Sequence, residues 1–460
     1  MNSRYQLAVI GAGSGGREAA LVAAQNGLRV VLIERETLGG TCLHCGFYCL
    51  KALRACVEAG KYNRVRLNPE RGVADPESGL PDWITTQKKL SGRLTQAWKN
   101  QLDRAGAKIA FGQATLVEPD KIILSPSHGE QTSIEADYII LAAGSRPGYD
   151  GLGPKSKFVN STELLQRRGQ PRHLLVVGGG YIGCEFASIF RAAGSKVTLV
   201  EKRGRLLRDW DEAVGGFIAQ ALQSSGVEVR LGCELDVVCH AEKLEEQTLV
   251  LSDGTRLSPD LVLVATGRKP NIESLGLEAI GVVANPFIRV DEHMSTSRDH
   301  IFAIGDINGL CLLDSAAISQ ARVAVDVILG KHTRYASRWI PRCIHTEPGA
   351  ASIGWNEDEA GKAGLDVIAH SQTFRLVTDD ERTVATPAET MLKVLVRAES
   401  REILGVHVVG HQAAEIVNFV SVAIRSGMTL EELLQVPLVH PSTAEAIQEC
   451  AKGIGTVAVG

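Results

Sequence analysis

The stretch GGTCLHCGFYCLKAL, Gly39 to Leu53, sets three cysteines, a histidine and a lysine directly after a glycine pair. If the run is helical from Thr41, Cys42, Cys45 and Cys49 stand at i, i+3 and i+7 on one stripe, which Cys56 extends. A thiol at a helix N-terminus has its pKa lowered, to about 7 or below in C-x-x-C motifs. Cys42 then reads as an attacking thiolate, with Cys45 or Cys49 as its resolving thiol. The same C-x-x-C-x-x-x-C spacing offers thiolates to an iron–sulfur cluster or soft metal ion, with Cys56 or His44 as fourth ligand. In a third reading the stripe is packing, because cysteine also behaves as a small hydrophobe. Far along the chain, His440 and Glu445 offer an imidazole with an orienting carboxylate, able to take a proton from an incoming thiol.

Two further sites are written in glycine. LAVIGAGSGGREAALVAAQNGLRVVLIER reads as strand, glycine turn, helix, strand, with Gly11, Gly13 and Gly16 in G-x-G-x-x-G spacing and Glu34 closing the second strand. The first glycine permits the tight turn, the second lets a pyrophosphate approach the backbone, the third lets helix and strand pack, and the acid accepts from a ribose hydroxyl. HLLVVGGGYIGCEFASIFRAAGSKVTLVEKRGRLL repeats the pattern with Gly178, Gly180, Gly183 and Glu201. Two such units mean two dinucleotides. An acid at Glu201 accepts from a free 2′-hydroxyl and repels a 2′-phosphate, which favours NADH over NADPH, although Lys202, Arg203 and Arg205 follow closely.

At 460 residues the chain exceeds what one core supports, about 250 to 300 residues, so two or three domains are expected. Hydrophobic residues at 44% and charged residues at 22% are ordinary for a globular α/β chain. A net charge of −4 gives no field to attract nucleic acid or an anionic membrane surface, so neither is expected as a partner. The first strand begins near Gln6, which leaves no room for a signal peptide, and no apolar run approaches about 18 residues; a cytoplasmic protein is expected. In a reducing compartment the ten cysteines are not structural disulfides. Cys450, on the helix after Glu445, is expected to be buried.

The two dinucleotide units, with the cysteine stretch after the first, resemble the pyridine nucleotide-disulfide oxidoreductase family, which includes dihydrolipoamide dehydrogenase, glutathione reductase and mercuric reductase. LAAGSRP (Leu141 to Pro147) and VATGRKPN (Val264 to Asn271) are similar to its paired chain crossings, and FAIGDIN (Phe302 to Asn308) to its second FAD motif. The resemblance implies FAD and a nicotinamide nucleotide as cofactors. Flavin contacts are then expected at Gly40, Thr41, Lys51, Ala114, Gly144 and Asp306, with Asp306 bonding the ribityl chain, and Gly267 at the second crossing. It also implies Tyr181 as the nicotinamide gate and a Lys51–Glu185 ion pair near flavin N5. IPRCIHTEPGAASIGWNEDEA, KVLVRAESREILGVHVVG and VHPSTAEAIQEC follow the order of the family's interface domain. That implies a homodimer in which His440, oriented by Glu445, serves the thiols of the other subunit. Independently, alternation in MLKVLVRAES and ILGVHVVG reads as hairpin strands and AAEIVNFVSVAIRSGM as an amphipathic helix.

The expected fold class is α/β: two Rossmann-like dinucleotide-binding domains plus an α+β C-terminal interface domain. The expected division is 1–150 (FAD, first part), 151–270 (NAD(H)), 271–335 (FAD, second part) and 336–460 (dimerisation). The redox motif departs from the family's G-G-T-C-x-N-x-G-C-x-P-S-K. His44 replaces Asn, Phe47 replaces the flavin-side cysteine and Cys49 replaces Pro, while Cys42 keeps the interchange position. The family's usual disulfide cannot form. What remains open is NADH-dependent reduction of a disulfide or other sulfur acceptor through Cys42 with Cys45 or Cys49, a quinone or metal-ion diaphorase without redox thiols, a flavoprotein with a metal centre at the three cysteines, or a non-catalytic electron-carrying subunit.

Overall fold

A computed structural model describes residues 4–67, 83–151, 156–235, 248–375 and 389–457. Its first strand, β1 (Arg4–Ile10), feeds the glycine turn that opens α1 (Ser14–Gln25), and β2 (Val30–Glu34) returns parallel to β1. Leu7, Ala8 and Val9 have no exposed surface, as a strand covered on both faces requires. The first sheet has seven strands. Lys108–Phe111, β2, β1, Thr132–Leu141, Lys121–Ser125 and Gln113–Glu118 lie in that order, and Ile301–Ala303 joins parallel to Thr132–Leu141.

The glycine repeat builds a second, wholly parallel sheet of five strands in the order Glu228–Leu231, Lys196–Glu201, His173–Val177, Leu261–Val264 and Phe158–Val159. Between the two sheets the expected crossings pair as a short antiparallel ribbon, Ser145–Pro147 against Arg268–Pro270. The C-terminal sheet is antiparallel: Arg342–Ile344, Ala350–Gly354, Ile403–Val409, Glu389–Arg397 and Val367–Arg375. Helices Ala413–Arg425 and Glu445–Val457 bury Ile416, Val417, Val420, Ile447, Cys450 and Ile454 against it. The α/β class with an α+β C-terminal unit is as expected, and Cys450 is buried. Cys239 lies outside the described residues.

A buried polar network ties the C-terminal unit to the second sheet. Lys393 Nζ bonds both oxygens of Asp211, at 3.0 and 2.9 Å, and also Glu357. Asp211 in turn caps the helix Glu212–Ser224 through the Ala213 N–H. Nearby, His407 and Ser352, both without exposed surface, share a hydrogen bond, and His407 Nε2 donates to the Trp355 carbonyl.

Candidate active site

The cysteine segment is not one helix. α2 (Gly40–His44) stops at Cys45, whose φ of −149° leaves the helical region, and α3 (Phe47–Leu67) starts after Gly46. A Cβ on Gly46 would meet the Thr41 carbonyl oxygen at 2.8 Å, so glycine lets the chain fold back on its own preceding turn. The expected stripe is therefore broken. Cys42 hydrogen-bonds Asp314, Cys45 reaches Thr162 and Thr41, and buried Cys49 donates to the Leu43 carbonyl at 3.8 Å. His44 Nε2 donates to the Leu38 carbonyl at 2.8 Å. Among the described residues no group of three or more His, Cys, Asp or Glu side chains is arranged to hold a metal ion, so the ligand set of the cluster reading is not assembled.

The expected activation of Cys42 by a helix N-terminus is also corrected. Burial pushes its thiol up, and the carboxylates of Asp314 and Asp306 push it further, because each disfavours a neighbouring thiolate. Burial raises Cys45 as well and takes Cys49 up to about 12. A five-residue helix offers too little dipole to offset two carboxylates.

Phe47, at the start of α3, places its ring 5.0 Å from the His345 ring and 4.7 Å from the Lys51 ammonium. The Lys51–Glu185 pair is not formed: among the described residues Lys51 has no carboxylate within 4.0 Å and lies over Phe47 instead. Glu185, 6% exposed, accepts from the His345 backbone N–H at 2.7 Å. Burial raises its carboxyl to about 7, with the His345 amide and Arg54 pulling the other way. His345 is held down to about 4 by burial and by the charges of Lys51 and Arg54. This histidine was missed in the sequence, where nothing in CIHTEP marks it. Arg54, bonded to the carbonyls of His345 and Thr346, joins α3 to the C-terminal unit, and a cavity of about 450 Å³ lies between them.

The glycine turns fit phosphate-bearing ligands. Gly11 has φ +104°, and a Cβ there would meet the Ala142 carbonyl oxygen at 2.4 Å; Gly178, φ +113°, stands the same way against Ala265 at 2.5 Å. Above each helix start the cradle is open, since a Cβ on Gly180 would meet nothing within 4 Å and one on Gly13 only Gly40 Cα at 4.0 Å. Gly16 and Gly183 each press on the carbonyl of the turn's first glycine, which lets helix and strand approach. Glu34 accepts from the Ala12 and Glu36 N–H groups at 2.8 and 2.9 Å, and Glu201 from Gly179 and Arg203 at 2.7 and 2.9 Å. Both acids are thereby fixed beside the cradles, with lone pairs left for a ribose. These backbones fit two dinucleotides. Gly40 and Thr41 open α2 beside the first cradle, and Gly144 (φ +69°) and Gly267 (φ +134°) sit in the crossings. Ala114 is buried in the first sheet.

Asp306 lies in a short 3₁₀ turn, Gly305–Asn308. Burial raises its carboxyl, while Ser145 and Arg268 oppose the rise. Tyr181 begins the helix Tyr181–Ala193 near Arg268, Asp306 and Glu185, and burial pushes its phenol to about 12. His440 Nδ1 is 3.0 Å from Glu445 Oε1, and Oε2 accepts from the Ser442 N–H at 2.8 Å. These two contacts hold the Glu445 carboxyl below the usual range, the Ser442 amide contributing more. The His440 side chain is 83% exposed, and neither dyad member bonds any residue of the cysteine segment in its own chain.

Residues 5–326 match the family model described as pyridine nucleotide-disulphide oxidoreductase, and residues 340–451 match that family's dimerisation domain. The chain belongs to the pyridine nucleotide-disulfide oxidoreductase family. Family relatives include a dihydrolipoyl dehydrogenase of Chlorobaculum parvum, 33% identical over 98% of this chain and 97% of that one. A glutathione reductase of Nostoc sp. is 31% identical over 97% and 99%, and a soluble pyridine nucleotide transhydrogenase of Serratia proteamaculans 31% identical over 98% of each. Among solved family structures, the HOCl-induced flavoprotein disulfide reductase RclA from Escherichia coli, as a Cu(II) complex, superposes with a TM-score of 0.81 at 25% identity, covering 98% of this chain and 99% of that one. The protein is accordingly an FAD-dependent, NAD(P)H-using oxidoreductase of this family. No helix among the described residues is long and apolar enough to cross a membrane.

Proposed function

We propose that the protein uses NADH to reduce a disulfide or related sulfur acceptor, with Cys42 as the attacking thiol and the active site completed across a homodimer. The observation that carries this reading is the His440–Glu445 dyad, assembled at 3.0 Å with its imidazole bare on its own chain. A base so presented is suited to a thiol brought by another subunit. Bound FAD supplies the step that takes hydride from the nicotinamide and releases two electrons. The chain's own work surrounds that step. Gly178, Gly180, Gly183 and Glu201 hold NADH, the free 2′-hydroxyl being favoured by the Glu201 carboxylate; Tyr181 covers the nicotinamide face. Lys51 sets a positive charge beside Phe47. Cys42 attacks the acceptor sulfur, the acceptor's sulfur–sulfur bond breaks, and His440 of the partner subunit moves the proton from the Cys42 thiol to the leaving sulfur. Cys45 or Cys49 then resolves the mixed disulfide, which frees the second acceptor thiol and leaves a protein disulfide that the two electrons supplied through FAD would return to the dithiol.

A second reading, transfer from the flavin directly to a small oxidant, is favoured by Phe47 where the family has its flavin-side thiol. An anaerobic NADH titration of the FAD-loaded protein separates the two. Uptake of a second hydride equivalent per FAD, lost in Cys42→Ser, supports the thiol reading. Uptake of one equivalent, with full turnover retained in Cys42→Ser, overturns it.

A further inference from the structure

The ribbon formed by the two crossings carries a buried cation that none of the roles above employs. The Arg268 side chain is 9% exposed. Its Nε donates to Ser145 Oγ at 2.6 Å, its Nη2 donates to the Ser145 carbonyl at 2.8 Å, and Nε lies 3.6 Å from Asp306 Oδ2. The Ser145 hydroxyl, having accepted from Arg268, donates its own proton to that same Oδ2. Guanidinium, hydroxyl and carboxylate thus form one chain across three segments, and the hydroxyl rotor has no freedom left in it. Among the described residues Oδ1 takes no hydrogen bond, so it is the oxygen available to a ligand hydroxyl.

We propose that Arg268 is a positioning residue of the flavin site, which through Ser145 holds Asp306 turned so that Oδ1 faces a ribityl hydroxyl. This rests on the reading of Asp306 as the ribityl acceptor. The groups facing Asp306 are Arg268 from the second crossing, Ser145 from the first, Asp314 from the helix Asp314–Ile328, Cys42 from α2, Tyr181 from the helix it opens and Cys311 from the following loop. Arg268 is the cation among them. Burial and the like charge of Asp314 both favour a protonated Asp306, and Ser145 with Arg268 opposes them. A carboxylate accepts a hydroxyl hydrogen bond about twice as strongly as a neutral acid, so this opposition translates into flavin affinity.

The test is the FAD dissociation constant of the full-length protein as a function of pH, read from the fluorescence recovered as flavin is released. Arg268→Met is expected to weaken binding about ten- to hundredfold at pH 7. The loss should deepen in acid, the pH of half-maximal affinity moving upward as Asp306 protonates more readily. Ser145→Ala should shift both quantities in the same direction by less, and it carries the test if Arg268→Met does not fold. Arg268→Lys should keep the acid profile, which needs charge, but not the full affinity, which needs the fork. In an Asp306→Asn background Arg268→Met should cost nothing further. A loss equal at every pH and fully additive with Asp306→Asn, or no loss at all, overturns the proposal. Unchanged affinity in Asp306→Asn itself would instead overturn the reading of Asp306.

Discussion

Phe47→Cys restores a thiol where the family carries its flavin-side cysteine, and its outcome can be worked from the contacts of the ring. The substitution removes the ring pair with His345 at 5.0 Å, about 0.5–1.5 kcal/mol. It also removes the cation–π contact with Lys51 at 4.7 Å, about 0.5–1 kcal/mol. Phe47 is 36% exposed, so the apolar area lost is partial and adds about 1 kcal/mol, which brings the total to about 2–3.5 kcal/mol. The protein should therefore fold, with a thermal midpoint lowered by a few degrees. Lys51, freed of the ring, stands beside the introduced thiol, and an adjacent ammonium lowers a thiol's pKa. A thiolate next to oxidised flavin gives long-wavelength charge-transfer absorption. The assay is the visible spectrum of the FAD-loaded variant from pH 6 to 9, with the wild type as blank. A new band that bleaches on acidification is expected. A folded, flavin-loaded variant with no such band at any pH would refute the reading that Phe47 stands at the family's flavin-side position.

Asp314→Asn removes a carboxylate that hydrogen-bonds Cys42 and holds its thiol up, so the pH profile of Cys42 alkylation by iodoacetamide, read by peptide mass spectrometry, should move to lower pH. His440→Ala should cost disulfide turnover about 10²- to 10⁴-fold while leaving the rate of NADH-dependent flavin bleaching in place, measured by stopped flow. Lys393→Met strands the buried Asp211 carboxylate and should destabilise the chain by about 3–5 kcal/mol in urea unfolding. His345 and His407, held down to about 4, stay neutral in the fold, while in the unfolded chain they bind protons below about 6.5. Stability should therefore fall as pH drops from about 6.5 toward 4, and His407→Gln should flatten that slope in thermal scans.

Sequence reached the parts of this molecule whose residue types are forced by backbone geometry. Gly11 and Gly178 hold positive φ against a carbonyl, and Glu34 and Glu201 end strands where their carboxylates reach back about 22 residues to the turn; each constraint writes itself into a short window. The fold class and the family followed from those windows. What stayed hidden joins segments far apart in the chain. The His345 amide meets Glu185 across 160 residues, and Ser145 meets Asp306 across 161; the motifs around Ser145 and Asp306 mark each segment, but nothing local to either marks the pairing. The cysteine segment was misread for a different reason. Spacing alone draws Cys42, Cys45 and Cys49 as a stripe, but Gly46 admits a fold-back onto Thr41 that breaks the helix between them. Lys51 was likewise expected at Glu185; an aromatic neighbour placed four residues before it gave the ammonium a nearer resting place.

An imidazole left bare on the chain that carries it makes each copy answerable for its neighbour's chemistry. Under the shared-site reading, a copy lacking Cys42 and a copy lacking His440 are each inert alone, yet paired they hold one complete centre and one empty of both groups. Damage to either residue is then tolerated in trans, and the exchange of copies between pairs redistributes activity without any chain being repaired.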